Sequence, residues 1–164
     1  MSKGLLSPVG KTYGFTLIDA TITVAIIAIV SAIAVPQFNQ FVVSRDFKNA
    51  ARDIVGDIFE LKQRALSEDT KHRIEFHAES NTYDILRCSS TGSSCDTYTV
   101  LLATKSPSSF RNGIIIKEAV FGSGQSITFQ TRGTASMGHV LLTNGEMNAK
   151  ITVNITGRTY VVCN

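Results

Sequence analysis

The sequence predicts an α+β fold: one long N-terminal helix, apolar in its first half and amphipathic in its second, packed on antiparallel β-sheet. Three observations predict it. A run from Phe15 to Val35 is almost free of charge and has the length of a helix rather than a strand. From Gln37 onward apolar residues recur at spacings of three and four. After Leu66 that period gives way to short β-branched and aromatic runs divided by turn residues.

The apolar run ends against Pro36. As a helix rising about 1.5 Å per residue, it is long enough to cross a bilayer core of about 30 Å. Its one ionised side chain is Asp19. A wholly buried core helix would need a large domain around it, and the stretch from Gln37 to Asn164 is too short to supply one. A cleaved secretory signal has an apolar region of about 7 to 15 residues and a small-x-small cleavage site. Here the run is longer and passes directly into an amphipathic pattern, which implies that it is retained. The preceding stretch, Met1 to Tyr13, is polar and carries Lys3 and Lys11 with no acid. Positive residues favour the cytoplasmic side, so the rest of the chain is expected outside the membrane.

The stretch Gly14-Phe15-Thr16-Leu17-Ile18-Asp19, with its basic leader and the Val/Ile/Ala-rich helix up to Pro36, resembles the N-terminus of type IV pilins. The resemblance implies a leader of residues 1–14, a membrane and filament-core helix over 15–36, and a periplasmic globular domain over 37–164. It implies that prepilin peptidase cuts between Gly14 and Phe15 and methylates Phe15. It also gives Asp19 a role in subunit assembly, pairing with the free amine of Phe15 on a neighbouring subunit. That family usually has Glu at this place, so Asp19 keeps the charge and loses one methylene of reach. A carboxylate in a membrane helix costs about 2.5 to 3.5 kcal/mol at the helix centre, which gives it reason to find a partner. The plainer reading is an acid that complements the positive end of the helix dipole.

Without the leader, the chain is long enough for one globular domain of modest core. Losing Lys3 and Lys11 takes the formal charge from +3 to +1, so neither sign dominates. From Val100 to Asn164 the chain is mildly cationic, with Lys105, Arg111, Lys117, Arg132, Lys150 and Arg158 against Glu118 and Glu146. In the second half of the helix, Phe47, Ala50, Ala51, Ile54, Val55, Ile58, Leu61, Ala65 and Leu66 form an apolar face expected to pack on sheet. Phe38, Phe41 and Val42 lie closer to the membrane, and Phe38 and Phe41 are expected to meet neighbouring subunits. Pro36 is expected to kink the helix, because it removes a donor and crowds the preceding turn.

Strand runs are predicted at 73–76, 82–86, 98–103, 114–116, 127–129, 140–142, 151–155 and 160–162. Glu79-Ser80-Asn81 reads as the turn between the first two, and Asn144-Gly145 is a strong hairpin signal. Ile127-Thr128-Phe129 with Arg132-Gly133, Gly138-His139-Val140-Leu141-Leu142, Asn144-Gly145 and the late strand with Gly157-Arg158 resemble the GspH/FimT branch of pilin-like proteins. Its members are pseudopilins of type II secretion or minor pilins of type IV pili, which initiate or cap filaments. The implied partners are other pilins or pseudopilins, prepilin peptidase and the inner membrane, which the chain crosses once.

Some members of that branch bind DNA for natural transformation through a Gly-Arg-x-Arg motif. Here Gly157-Arg158-Thr159-Tyr160 supplies only the first arginine. As an alternative function, DNA would meet Arg158, with Lys150 and Arg132 widening the cationic patch and Tyr160 stacking on a base. The opposing reading makes Gly157 a turn residue and Arg158 a solvated charge.

Cys88 and Cys95 bracket a polar loop and are candidates for a disulfide, leaving Cys163 over. Pairing of Cys163 with either of them is equally compatible with the sequence. The three histidines are scattered, and His72 and His77 fall on opposite faces of a strand, so no metal site is predicted. No nucleophile elbow, phosphate loop or metal-ligand spacing is present, and neither an enzyme nor a cofactor is expected.

Overall fold

A computed structural model describes Gly14 and residues 16–90, 95, 97–122 and 124–164. Residues 1–13 and Phe15, on which the leader, cleavage and methylation expectations fall, lie outside the described residues. The chain packs as two units, one ending at Phe41 and one from Val42 to Asn164.

Helix α1, Leu17–Ser67, runs unbroken through Pro36. Every residue from 17 to 41 is exposed, including Phe38 and Phe41. This half is long and apolar enough to cross a membrane, and none of that stretch is buried among the described residues. In the second unit the same helix buries Phe47, Ala50, Ala51, Ile54, Ile58, Leu61 and Ala65. These are the predicted core positions, with two exceptions. Val55 is only partly buried, and Leu66 stays 45% exposed while its Cδ2 covers the turn at Gly133.

Among the described residues eight strands follow, arranged in two four-stranded antiparallel sheets where the sequence suggested a helix on antiparallel sheet without a division. The first has the order β3-β2-β1-β5, from β1 (His72–His77), β2 (Thr82–Cys88), β3 (Tyr98–Lys105) and β5 (Ser126–Phe129). The second has the order β4-β6-β7-β8, from β4 (Ile115–Phe121), β6 (Gly138–Thr143), β7 (Asn148–Val153) and β8 (Thr159–Cys163). Alternation along β1 buries His72, Ile74 and Phe76 and turns His77 to the other face, as period-two geometry requires. Phe76 stacks on Phe121 and tilts against Tyr83, joining the two sheets in one core with α1.

Asn81, in the left-handed conformation at φ 54°, closes the β1–β2 turn and ties it to β4. Its Nδ2 donates to the Ile114 carbonyl and its Oδ1 accepts from Ile116 N–H, both at 2.9 Å. Gly138 faces Phe121 across the β4–β6 ladder, and a Cβ there would lie 2.1 Å from the Val120 carbonyl, so only glycine fits. Asn144-Gly145 forms the predicted β6–β7 hairpin. The next strand ends at Val153, short of the expected Ile155. Asn154 Oδ1 accepts from the N–H groups of Thr156 and Arg158 and from the Thr156 hydroxyl, which folds the chain into a turn and leaves Ile155 exposed.

Candidate functional site

At its N-terminal end, α1 is capped from within. The Thr16 N–H donates to Asp19 Oδ2 at 3.1 Å, and the Asp19 N–H donates back to Thr16 Oγ1 at 3.3 Å. The Thr16 hydroxyl donates to the same Oδ2 at 2.6 Å. This is a capping box in which Asp stands for the more usual Glu or Gln, with the Asp19 N–H shared between Thr16 Oγ1 and the Thr16 carbonyl at 3.1 Å. Asp19 remains exposed, so its carboxylate is both a local cap and an acid presented on an uncovered apolar surface.

The C-terminal cationic residues are placed by one turn. Gly157 takes φ 68°, and a Cβ on it would lie 2.8 Å from the Gly133 carbonyl, 3.1 Å from Lys62 Cδ and 3.2 Å from Phe129 Cε1. The glycine is therefore required by the close approach of the turn to α1 and the Gly133 turn. Lys62 fastens the same turn, donating to the Thr156 carbonyl at 3.0 Å. Beside it, residues 157–160 and α1 border a cleft of about 600 Å³, where Arg158 and Tyr160 meet Arg52 and Lys62 over Val55 and Phe59. Among the described residues, no carboxylate lines this cleft.

Of the four residues named for DNA, two come together there. Lys150 lies on β7 in register with Val162, on the sheet face shared by Thr152 and Tyr160, and does not line the cleft. Arg132 sits in the turn before Gly133, also outside the lining. Arg52, Phe59 and Lys62 were missed as site residues because they read as the polar or non-core side of α1. Their signal is the helical spacing 52–55–59–62, which aligns them on one face.

A second polar cluster is internal. Lys105 Nζ donates to both carboxylate oxygens of Asp57, at 2.7 and 2.9 Å, and the Tyr83 hydroxyl donates to Asp57 Oδ2 at 2.7 Å. Burial and then the Asp57 hydrogen bond and charge push the Tyr83 phenol well above its ordinary pKa. Burial opposes the charge on Lys105, but its hydrogen bond to Asp57 and the charges of Asp57 and Asp53 outweigh that and raise its pKa. With every partner satisfied and Asp57 itself buried, this cluster pins α1 to β3 and β2.

Cys88 and Cys95 are joined in a disulfide that closes the end of β2 onto the approach to β3, and Cys163 is free and exposed. Among the described residues, no group of three His, Cys, Asp or Glu could hold a metal ion.

The fold is that of solved pilin-like proteins. The minor pseudopilin EpsH from the type II secretion system of Vibrio cholerae superposes with a TM-score of 0.55 at 8% identity, covering 71% of this chain and 95% of that one. A second EpsH structure gives 0.54 at 10% identity over 73% and 95% of the two chains. The type IV minor pilin FimU of Pseudomonas aeruginosa gives 0.54 at 16% identity over 74% and 92%. No protein-family model and no curated protein matches the sequence.

Proposed function

We propose that this chain is a minor pilin or pseudopilin, cut between Gly14 and Phe15 and methylated on Phe15, that waits in the inner membrane and then joins a filament. Residues 15–36 serve as the anchor and later as part of the filament core, and residues 37–164 lie on the periplasmic side. The observation that carries this reading is α1 itself. One helix has an uncovered apolar half as long as a bilayer is thick and a second half that forms the core of a pilin-like domain. Exposed apolar surface on that scale needs a second environment, and membrane followed by neighbouring helices supplies it.

Asp19 supplies the test. Asp19→Ala removes cap and charge together, whereas Asp19→Asn keeps an acceptor for the Thr16 groups and removes the charge alone. If the acid pairs with a neighbour's amine, both variants stay in the membrane fraction and both are lost from sheared filaments. Incorporation of Asp19→Asn at the wild-type level would reduce Asp19 to a helix cap.

DNA binding is the second reading, supported by the convergence of Arg158 and Tyr160 with Arg52 and Lys62 in a cleft with no acid among the described residues that line it. It expects the full chain in detergent micelles to retain single-stranded DNA at low salt, with loss at near-physiological salt and in Arg158→Ala. Filament assembly is the reading we adopt, because Lys150 and Arg132 lie off the cleft and the number of phosphate contacts is correspondingly small.

A further inference from the structure

Strand β8 is the edge of its sheet, and the β7–β8 ladder determines what it presents. Asn148 and Asn164 exchange both backbone hydrogen bonds at 2.9 Å, and Asn154 N–H donates to the Arg158 carbonyl at 3.0 Å. Antiparallel pairing alternates, so Tyr160 and Val162 also bond toward β7. The N–H and C=O groups of Thr159, Val161 and Cys163 therefore point outward from an open edge.

That edge borders a groove. The cleft at Arg158 continues, through Arg52 and Val55, into a second one of about 490 Å³ lined by Lys48, Val161 and Cys163. On the helix side, Lys48, Arg52, Val55 and Phe59 fall on one face at spacings of four, three and four. Apolar surface lies open along it, with Phe59 62% exposed and Val161 37% exposed. Among the described residues, four cations line the groove, namely Lys48, Arg52, Lys62 and Arg158, and no carboxylate does.

We propose that this groove receives an extended segment of a neighbouring subunit, alternating acidic and apolar residues, which adds as one more strand beyond β8. The outward donors and acceptors would pair with its backbone, and because successive side chains point to opposite faces, its acids would meet the groove cations on the α1 side while its apolar side chains would lie beside the exposed Val162 on the other face of the sheet. Charge complementarity selects this occupant. A second copy docked edge to edge would set the same four cations against each other. A phosphodiester backbone accepts but does not donate, and would leave the outward carbonyls of β8 without partners. The inference rests on the assembly reading only for where the segment comes from; membrane anchoring and the role of Asp19 are tested separately.

The probe is a labelled eight-residue Val/Glu alternating peptide, compared with its Val/Lys counterpart and with an oligothymidylate, each titrated against the full-length protein in detergent micelles. The Glu peptide should bind at least about tenfold tighter than the Lys peptide. Val161→Pro removes an outward N–H without touching the β7 ladder and should weaken the Glu peptide by about tenfold or more. Lys48→Glu combined with Arg52→Glu and Arg158→Glu leaves one cation against three acids in the lining and should reverse the preference toward the Lys peptide, a gain that a misfolded variant cannot produce. Equal binding of the two peptides by the wild type would overturn the proposal. So would binding by Val161→Pro at the wild-type level, or competition in which the oligothymidylate displaces the Glu peptide and binds tighter.

Discussion

Lys105 reaches Asp57 from the edge strand β3 and crosses the boundary between solvent and core to do so. Removing it strands a buried carboxylate, so Lys105→Met is expected to cost about 3 kcal/mol in chemical denaturation, more than a surface charge normally contributes. The same cluster fixes an alkaline limit. Tyr83 and Lys105 both hold their protons more tightly in the fold than in the unfolded chain, whose ordinary values are 10.0 and 10.5. Their contribution is complete below that range and is lost as pH rises through and beyond it. Stability measured from pH 8 to 11 should fall above about pH 10, and Tyr83→Phe should make that fall shallower. Asp57 itself was not legible as core: charged residues are almost never fully buried unless paired, and its partners Tyr83 and Lys105 are far from it in sequence.

At the scale of elements, periodicity located α1 and most of the core, because a 3.6-residue period and a two-residue period leave distinct marks. What it left out are features decided by tertiary partners. The two-sheet division depends on β1 pairing with both β2 and β5 while β4 pairs with β6, and such long-range pairing has no local signature. The early end of β7 follows from the three bonds to Asn154 Oδ1, which compete with the ladder. The Cys88–Cys95 disulfide settles a choice that spacing alone left open. It closes a short loop, so replacing both cysteines by alanine should lower stability by about 2 kcal/mol in denaturant titrations while α1 and the second sheet keep their far-ultraviolet signal.

For the whole molecule, the membrane half of the candidate function was legible from length, apolarity and one acid, because a bilayer imposes a simple requirement on a helix. The groove beside β8 was not. It is assembled from Lys48, Arg52, Val55 and Phe59 on α1 and from the last strand of the chain, and each part alone reads as ordinary solvated surface. The proposed role is that of a processed subunit carried into a filament by its N-terminal helix. Intact-mass spectrometry of the sheared filament or pseudopilus fraction tests it directly. The expected species begins at methylated Phe15 and has lost Met1 to Gly14. A chain that is confined to the membrane fraction, or that enters filaments with Met1 to Gly14 still attached, would contradict it.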